Sequence, residues 1–244
     1  MHARLRDCAL FAGLVLATGC SEKGPRSCDL DTDALVMLAT VSETDVGVEI
    51  EIEFETATTD TEMLGTALAL CPGSDSLTVN GMALEERLTL GHLYYYLKVE
   101  PEDEAPEYTI LLERKDKDQP NVEASIRMPP TFEFTTPAAG SQHSRAAELD
   151  VSWGPAWPDN TIELDIVDEI GSTCINGLGY YVDPVEDSGN YTVPANALSG
   201  PAGGSCDVTI VATRVLEAPY PEVLAPGGGL TAVVTRGLPF QSID

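Results

Sequence analysis

The sequence predicts an all-β fold: two antiparallel β-sandwich domains in tandem, behind an N-terminal export segment. Three observations predict it. Val48 to Glu55 alternates apolar and acidic residues without a break. Short apolar segments recur between turn residues along the rest of the chain. No stretch combines the length and the 3.6-residue period of an amphipathic helix.

The chain has 244 residues and a formal net charge of −27. A division near Met128-Pro129-Pro130 leaves two stretches, 28–128 and 130–244, each long enough to bury its own core. A proline pair stiffens a short connection into extended form. The negative field repels nucleic acid and anionic lipid surfaces, so nucleic acid is not an expected partner.

The first residues read MHARLRDCALFAGLVLATGC. Arg4 and Arg6 give a positive start, and Cys8 to Leu16 form an apolar run too short for a permanent membrane span. The run ends in Leu16-Ala17-Thr18-Gly19-Cys20, which resembles the lipobox of bacterial lipoprotein precursors. There the usual leucine position, three before the cysteine, is Ala17, with Leu16 one earlier. The resemblance implies diacylglyceryl attachment to Cys20, loss of residues 1–19, and anchoring of the chain in the membrane of a bacterial cell envelope. Several acyl chains hold a protein to a bilayer, where a single chain binds only marginally. Ser21 takes the position where an aspartate is associated with inner-membrane retention, which points to the outer membrane. Residues 20–27 then form a lipid-anchored polar tether.

Six cysteines fit an exported protein. With Cys8 in the leader and Cys20 acylated, Cys28, Cys71, Cys174 and Cys206 remain, and four cysteines allow three pairings. Independent domain cores favour the local pairing, Cys28–Cys71 and Cys174–Cys206. None of the four lies two to four residues from another, which argues against zinc.

In the first domain, Val48, Ile50, Ile52 and Phe54 share one face of a half-buried strand and four glutamates share the other. Ala34–Val41 and Leu64–Cys71 are further apolar runs, the second also compatible with a helix. Leu77-Thr78-Val79, Asn80-Gly81 and Met82-Ala83-Leu84 read as a tight hairpin, because Asn-Gly accepts the positive φ angles of such turns. Leu93–Val99, Tyr108–Glu113 and Val122–Met128 complete the set. Glu100–Glu107, acidic and holding two prolines, reads as a loop.

In the second domain, FEFTTPAAG reads as an edge strand ending in a turn. Glu148–Trp153, Ile162–Val167, Tyr191–Val193, Cys206–Ala212 and Leu230–Thr235 follow. Leu149-Asp150-Val151-Ser152-Trp153 has the L-x-V-x-W pattern of a second strand with a core tryptophan. Leu198 and Cys206 stand near a leucine and a corner tyrosine. By these residues the domain resembles a fibronectin type III or related immunoglobulin-like sandwich, with cysteine replacing the tyrosine. The cysteine–tryptophan–cysteine order of true immunoglobulin domains is absent, since Trp153 precedes both cysteines. The resemblance implies a fold and no activity.

Catalytic patterns are lacking. There is no G-x-S-x-G elbow, no H-E-x-x-H, and no phosphate-binding G-x-x-x-x-G-K-[ST]. His92 and His143 read as surface residues. Asp29, Asp31 and Asp33 form a D-x-D-x-D run of hard oxygen donors, a candidate calcium site. Its sixth and twelfth places hold Ala34 and Thr40, not the glycine and glutamate of a helix–loop calcium site. A solvated acidic strand start is the alternative reading. A second acidic loop is expected at Asp183 to Asp187. Trp157, between Ala156 and Pro158, is the candidate ring for stacking on a ligand. Tyr95 is expected to face away from Tyr94 and Tyr96. These residues favour a non-catalytic, membrane-anchored lipoprotein without a cofactor that binds protein or glycan or acts as a spacer. Calcium-dependent adhesion or glycan binding is the second reading, and a polysaccharide or peptide hydrolase the third.

Overall fold

The computed structural model describes residues 25–44, 46–57, 66–100, 105–115, 118–168, 179–198 and 204–243. The leader, Cys20 and Cys174 lie outside these residues. Two short 3-10 turns, Ser27–Asp29 and Thr32–Ala34, precede the first strand. Among the described residues sixteen strands follow in chain order. The first eight are β1 (Leu35–Thr44), β2 (Gly47–Thr56), β3 (Asp75–Val79), β4 (Met82–Ala83), β5 (Glu85–Thr89), β6 (His92–Val99), β7 (Glu107–Arg114) and β8 (Val122–Arg127). Then come β9 (Glu133–Thr136), β10 (Gln142–Ser144), β11 (Leu149–Gly154), β12 (Thr161–Asp168), β13 (Tyr180–Glu186), β14 (Asn190–Val193), β15 (Cys206–Glu217) and β16 (Gly229–Ile243).

The fold is all-β, and its two sandwiches share one sheet. A nine-stranded sheet runs β13-β12-β15-β16-β1-β2-β6-β5, with β10 beside β16. The four-stranded sheet β4-β3-β7-β8 completes the first sandwich, and the three-stranded sheet β14-β11-β9 completes the second. Strand β16 joins them. Its first residues pair in parallel with β1, from Leu38↔Gly229 to Glu43↔Val234. From Thr231 to Ser242 it pairs antiparallel with β15. Period two places Leu230, Ala232, Val234, Leu238 and Phe240 on one buried face. The first three continue the layer of Met37, Ala39 and Val41, and the last two that of Val208 and Ile210.

A division at Pro129-Pro130 therefore does not separate two self-sufficient cores. The first core is completed by a strand far along the chain, Leu38 pairing with Gly229 and Glu43 with Val234, a long-range pairing that no local pattern encodes. Sequence patterning also ends the last strand at Thr235, short of Gly237 and Pro239. The strand runs on to Ile243. Pro239 accepts a hydrogen bond from Gly140 N–H on the side away from β15, so its missing N–H removes no bond of the β15 ladder.

Other expectations meet the structure directly. The Asn80-Gly81 hairpin is present, with φ 49° and 77°. Glu85–Thr89 forms a strand that the sequence pattern did not reveal; it turns through Leu90 and Gly91, both at positive φ, into β6. Of Leu64–Cys71, residues 66–71 make only isolated bridges, Glu55↔Ala67 and Arg26↔Ala69. Asp183 lies in β13, which replaces the expected acidic loop, and Asp187 is fully buried just beyond it.

Candidate functional site at the junction of the sandwiches

Period two on β15 puts Arg214 inward, after Val208, Ile210 and Ala212. On β16 it puts Arg236 inward, after Leu230, Ala232 and Val234. On β7 it puts Arg114 inward, after Tyr108, Ile110 and Leu112. All three are buried. A guanidinium stays charged at any accessible pH, so burying it demands an anion and enough carbonyl oxygens to replace water.

Arg214 finds both. It is wholly buried, and its Nε donates to Asp187 Oδ2 at 2.6 Å. Nη1 donates to the Pro130 carbonyl at 2.6 Å, and Nη2 to the Pro155 carbonyl at 2.6 Å. The guanidinium lies over the Phe132 ring, 4.5 Å from its centroid. Asp187 Oδ1 also accepts from Trp153 Nε1 at 2.7 Å. One side chain therefore ties β15 to the connection between the sandwiches and to the loop after β11. Arg236 does the same from β16, donating to Glu43 of β1 and to Thr131 Oγ1.

Arg114 secures the N-terminal segment. Nη1 donates to Thr32 Oγ1 at 3.0 Å, and Nη2 to the carbonyls of Ser27 and Leu30, while Asp75 Oδ1 lies 3.7 Å from Nε. The Cys28–Cys71 disulfide closes over the same segment. Cys206 is disulfide-bonded too. Its expected partner, Cys174, falls outside the described residues.

The candidate calcium ligands are not gathered. Asp29, Asp31 and Asp33 are exposed on consecutive tight turns. The Asp31 carboxylate accepts from Gln119 Nε2 at 2.8 Å, and the Thr32 hydroxyl is held by Arg114. Among the described residues no three His, Cys, Asp or Glu side chains group closely enough to hold a metal ion. The physical reason is that two 3-10 turns replace the single loop needed to point alternate carboxylates at one centre.

Trp157 is half-buried rather than presented. Its backbone N–H donates to the Asp187 carbonyl, and its ring centroid lies 6.0 Å from the Arg214 guanidinium, so it roofs the buried ion pair. Tyr95 points inward, between the Leu70 N–H and the Glu86 carboxylate, and burial pushes its phenol well above the usual range. Tyr94 and Tyr96 face outward but are already covered. The Arg87 guanidinium stacks 3.7 Å from the Tyr96 ring, and His92 sits against Tyr94 while meeting Glu53 at 3.0 Å.

Arg214, Asp187 and Arg236 are what sequence reasoning missed. The available signal was a lone arginine at an inward position of an otherwise apolar alternation.

The pairings define a tandem β-sandwich protein, its second sandwich setting β14-β11-β9 against β13-β12-β15-β16 with β10 beside β16. No protein-family model and no curated protein matches the chain. Solved structures that the chain matches include the fibronectin(III)-like modules of Clostridium thermocellum CbhA, at 9% identity over 86% of this chain and 93% of that one, TM-score 0.29. Salmonella alpha-2-macroglobulin matches at 12% over 90% of this chain and 16% of that one, TM-score 0.25. The Bacteroides ovatus mixed-linkage glucan utilization protein SGBP-B, solved with a heptasaccharide, matches at 12% over 86% and 60%, TM-score 0.21.

Proposed function

We propose that the chain is a lipid-anchored, non-catalytic protein of the bacterial cell envelope, in the outer membrane, serving as a stiff spacer or binding module for a protein or glycan. The observation that carries the reading is the use of buried charge. Arg214 and Arg236 spend their donors on backbone carbonyls and carboxylates that join the two sandwiches. A catalytic site needs an ionisable group poised beside substrate. Here the buried ions end on structural partners. A shared sheet and two buried clamps suit a module that must hold its shape at a distance from a bilayer. The Leu16–Cys20 motif supplies the anchor in this reading.

The test is fractionation of a bacterial host expressing the full chain, with mass spectrometry of the product. The membrane fraction should hold protein that starts at an acylated Cys20, and Cys20→Ser should abolish acylation. Wild-type protein retaining residues 1–19 with an unmodified Cys20 would refute the anchor. For the stiff module, spin labels at exposed Glu123 and Asp150 should give one narrow distance distribution, and a broad one would refute it.

A further inference from the structure

Strand β8 is an edge, the last strand of its sheet. Its register with β7 fixes which way its backbone points. Met128 N–H donates to the Pro106 carbonyl, and the pairs alternate from there. Ala124 and Ile126 thus turn their N–H and C=O groups toward β7. Glu123, Ser125 and Arg127 turn theirs outward and take no backbone partner among the described residues. The β7 bonds to β3 have the matching phase, since Asn80 N–H donates to the Thr109 carbonyl.

These outward groups open into a groove of about 520 Å³ between β8 and the chain leaving β15. The opposite wall, Leu216 to Pro221, cannot complete the ladder. Pro219 and Pro221 lack N–H groups, and Ala218 N–H is committed to the Leu230 carbonyl. The Tyr220 hydroxyl accepts from Met37 N–H at 2.9 Å, which fixes the ring as wall rather than stacking platform. Among the described residues, Glu107, Glu123 and Glu217 line the groove against a single cation, Arg127. An unpaired edge of six residues offers about 20 Å of ladder to an incoming strand.

We infer that β8 is a docking edge for an extended, cationic polypeptide segment, which adds to the sheet as a further strand. Backbone N–H and C=O groups of Glu123, Ser125 and Arg127 make the ladder. Basic side chains of the segment meet Glu107, Glu123 and Glu217, and its apolar side chains meet Leu216 and Ala218. The inference does not depend on the lipid anchor.

The probe is the acetylated, amidated peptide (Lys-Val)4, added to the full chain in mild detergent and read by hydrogen–deuterium exchange and fluorescence anisotropy. Binding should slow exchange across 122–127. It should weaken at least tenfold for the same peptide N-methylated at every residue, and for (Glu-Val)4. Ser125→Pro, which deletes one outward N–H and no bond to β7, should weaken it similarly, as should Glu123→Lys with Glu217→Lys. If Ser125→Pro does not fold, the N-methylated peptide on the unaltered chain decides the matter. Equal binding of the N-methylated peptide, no protection at 122–127, or protection there by a neutral oligosaccharide such as cellohexaose would overturn the inference.

Discussion

Arg214 and Asp187 form an ion pair with no solvent exposure on either side chain, Nε to Oδ2 2.6 Å, and the same carboxylate holds the core tryptophan, Trp153. Removing one partner strands the other charge. Asp187→Ala is expected to destabilise the protein by about 3–5 kcal/mol. Arg214→Met with Asp187→Leu should recover much of the loss, because an apolar pair leaves no buried ion. Urea melts followed by tryptophan fluorescence measure both.

The shared strand makes the first sandwich dependent on the end of the chain. A fragment of residues 21–128 lacks Leu230, Ala232 and Val234, each of which is buried beside β1. Fully burying a valine or leucine is worth about 1.5–3 kcal/mol, and the fragment also leaves the β1 edge unpaired. It should show poor amide dispersion in NMR spectra. The intact chain should unfold in one calorimetric transition, and two well-separated transitions would contradict the shared core.

Cys28–Cys71 closes a loop across 43 positions. Chain entropy sets its contribution at about 4 kcal/mol as an upper value. Arg114 already holds Ser27, Leu30 and Thr32, so the same segment is fixed twice. Cys28→Ser with Cys71→Ser should therefore lower stability by less than that value while the fold persists by circular dichroism. Arg114→Ala on that background should cost more than it does alone.

Burial, and then the hydrogen bond with Tyr191, push the Tyr180 phenol up to about 12 from 10.0. The folded state holds this proton more tightly than the unfolded state. Its contribution is therefore fully present below pH 10 and is lost as pH rises through about 12. Burial shifts Tyr95 and Tyr220 the same way. Stability should fall with rising pH across this window, and Tyr180→Phe should reduce the slope without abolishing it. Denaturant midpoints at several alkaline pH values test the sign.

Much of the fold was legible in the chain. The unbroken alternation of β2 fixes its faces, Asn80-Gly81 fixes a hairpin, and the L-x-V-x-W segment places Trp153 in the second core. These are local signals, because period two and turn chemistry act over a few residues. The junction was not legible in the same way. Arg214 could be read as inward, but its anion, Asp187, looked like part of an acidic loop, and its carbonyl acceptors come from Pro130 and Pro155. Backbone oxygens carry no sequence signature.

By itself the sequence determined the strand-forming pattern and the acidic charge, since each depends on residue type or on neighbours a few positions away. Only the tertiary structure decided that β16 belongs to both sandwiches, that three arginines are structural clamps, and that Asp29, Asp31 and Asp33 stay apart. Those outcomes depend on which distant segments meet. Pairing partners far apart in the chain are selected by the summed burial of whole faces, and that sum exists only once the chain has folded.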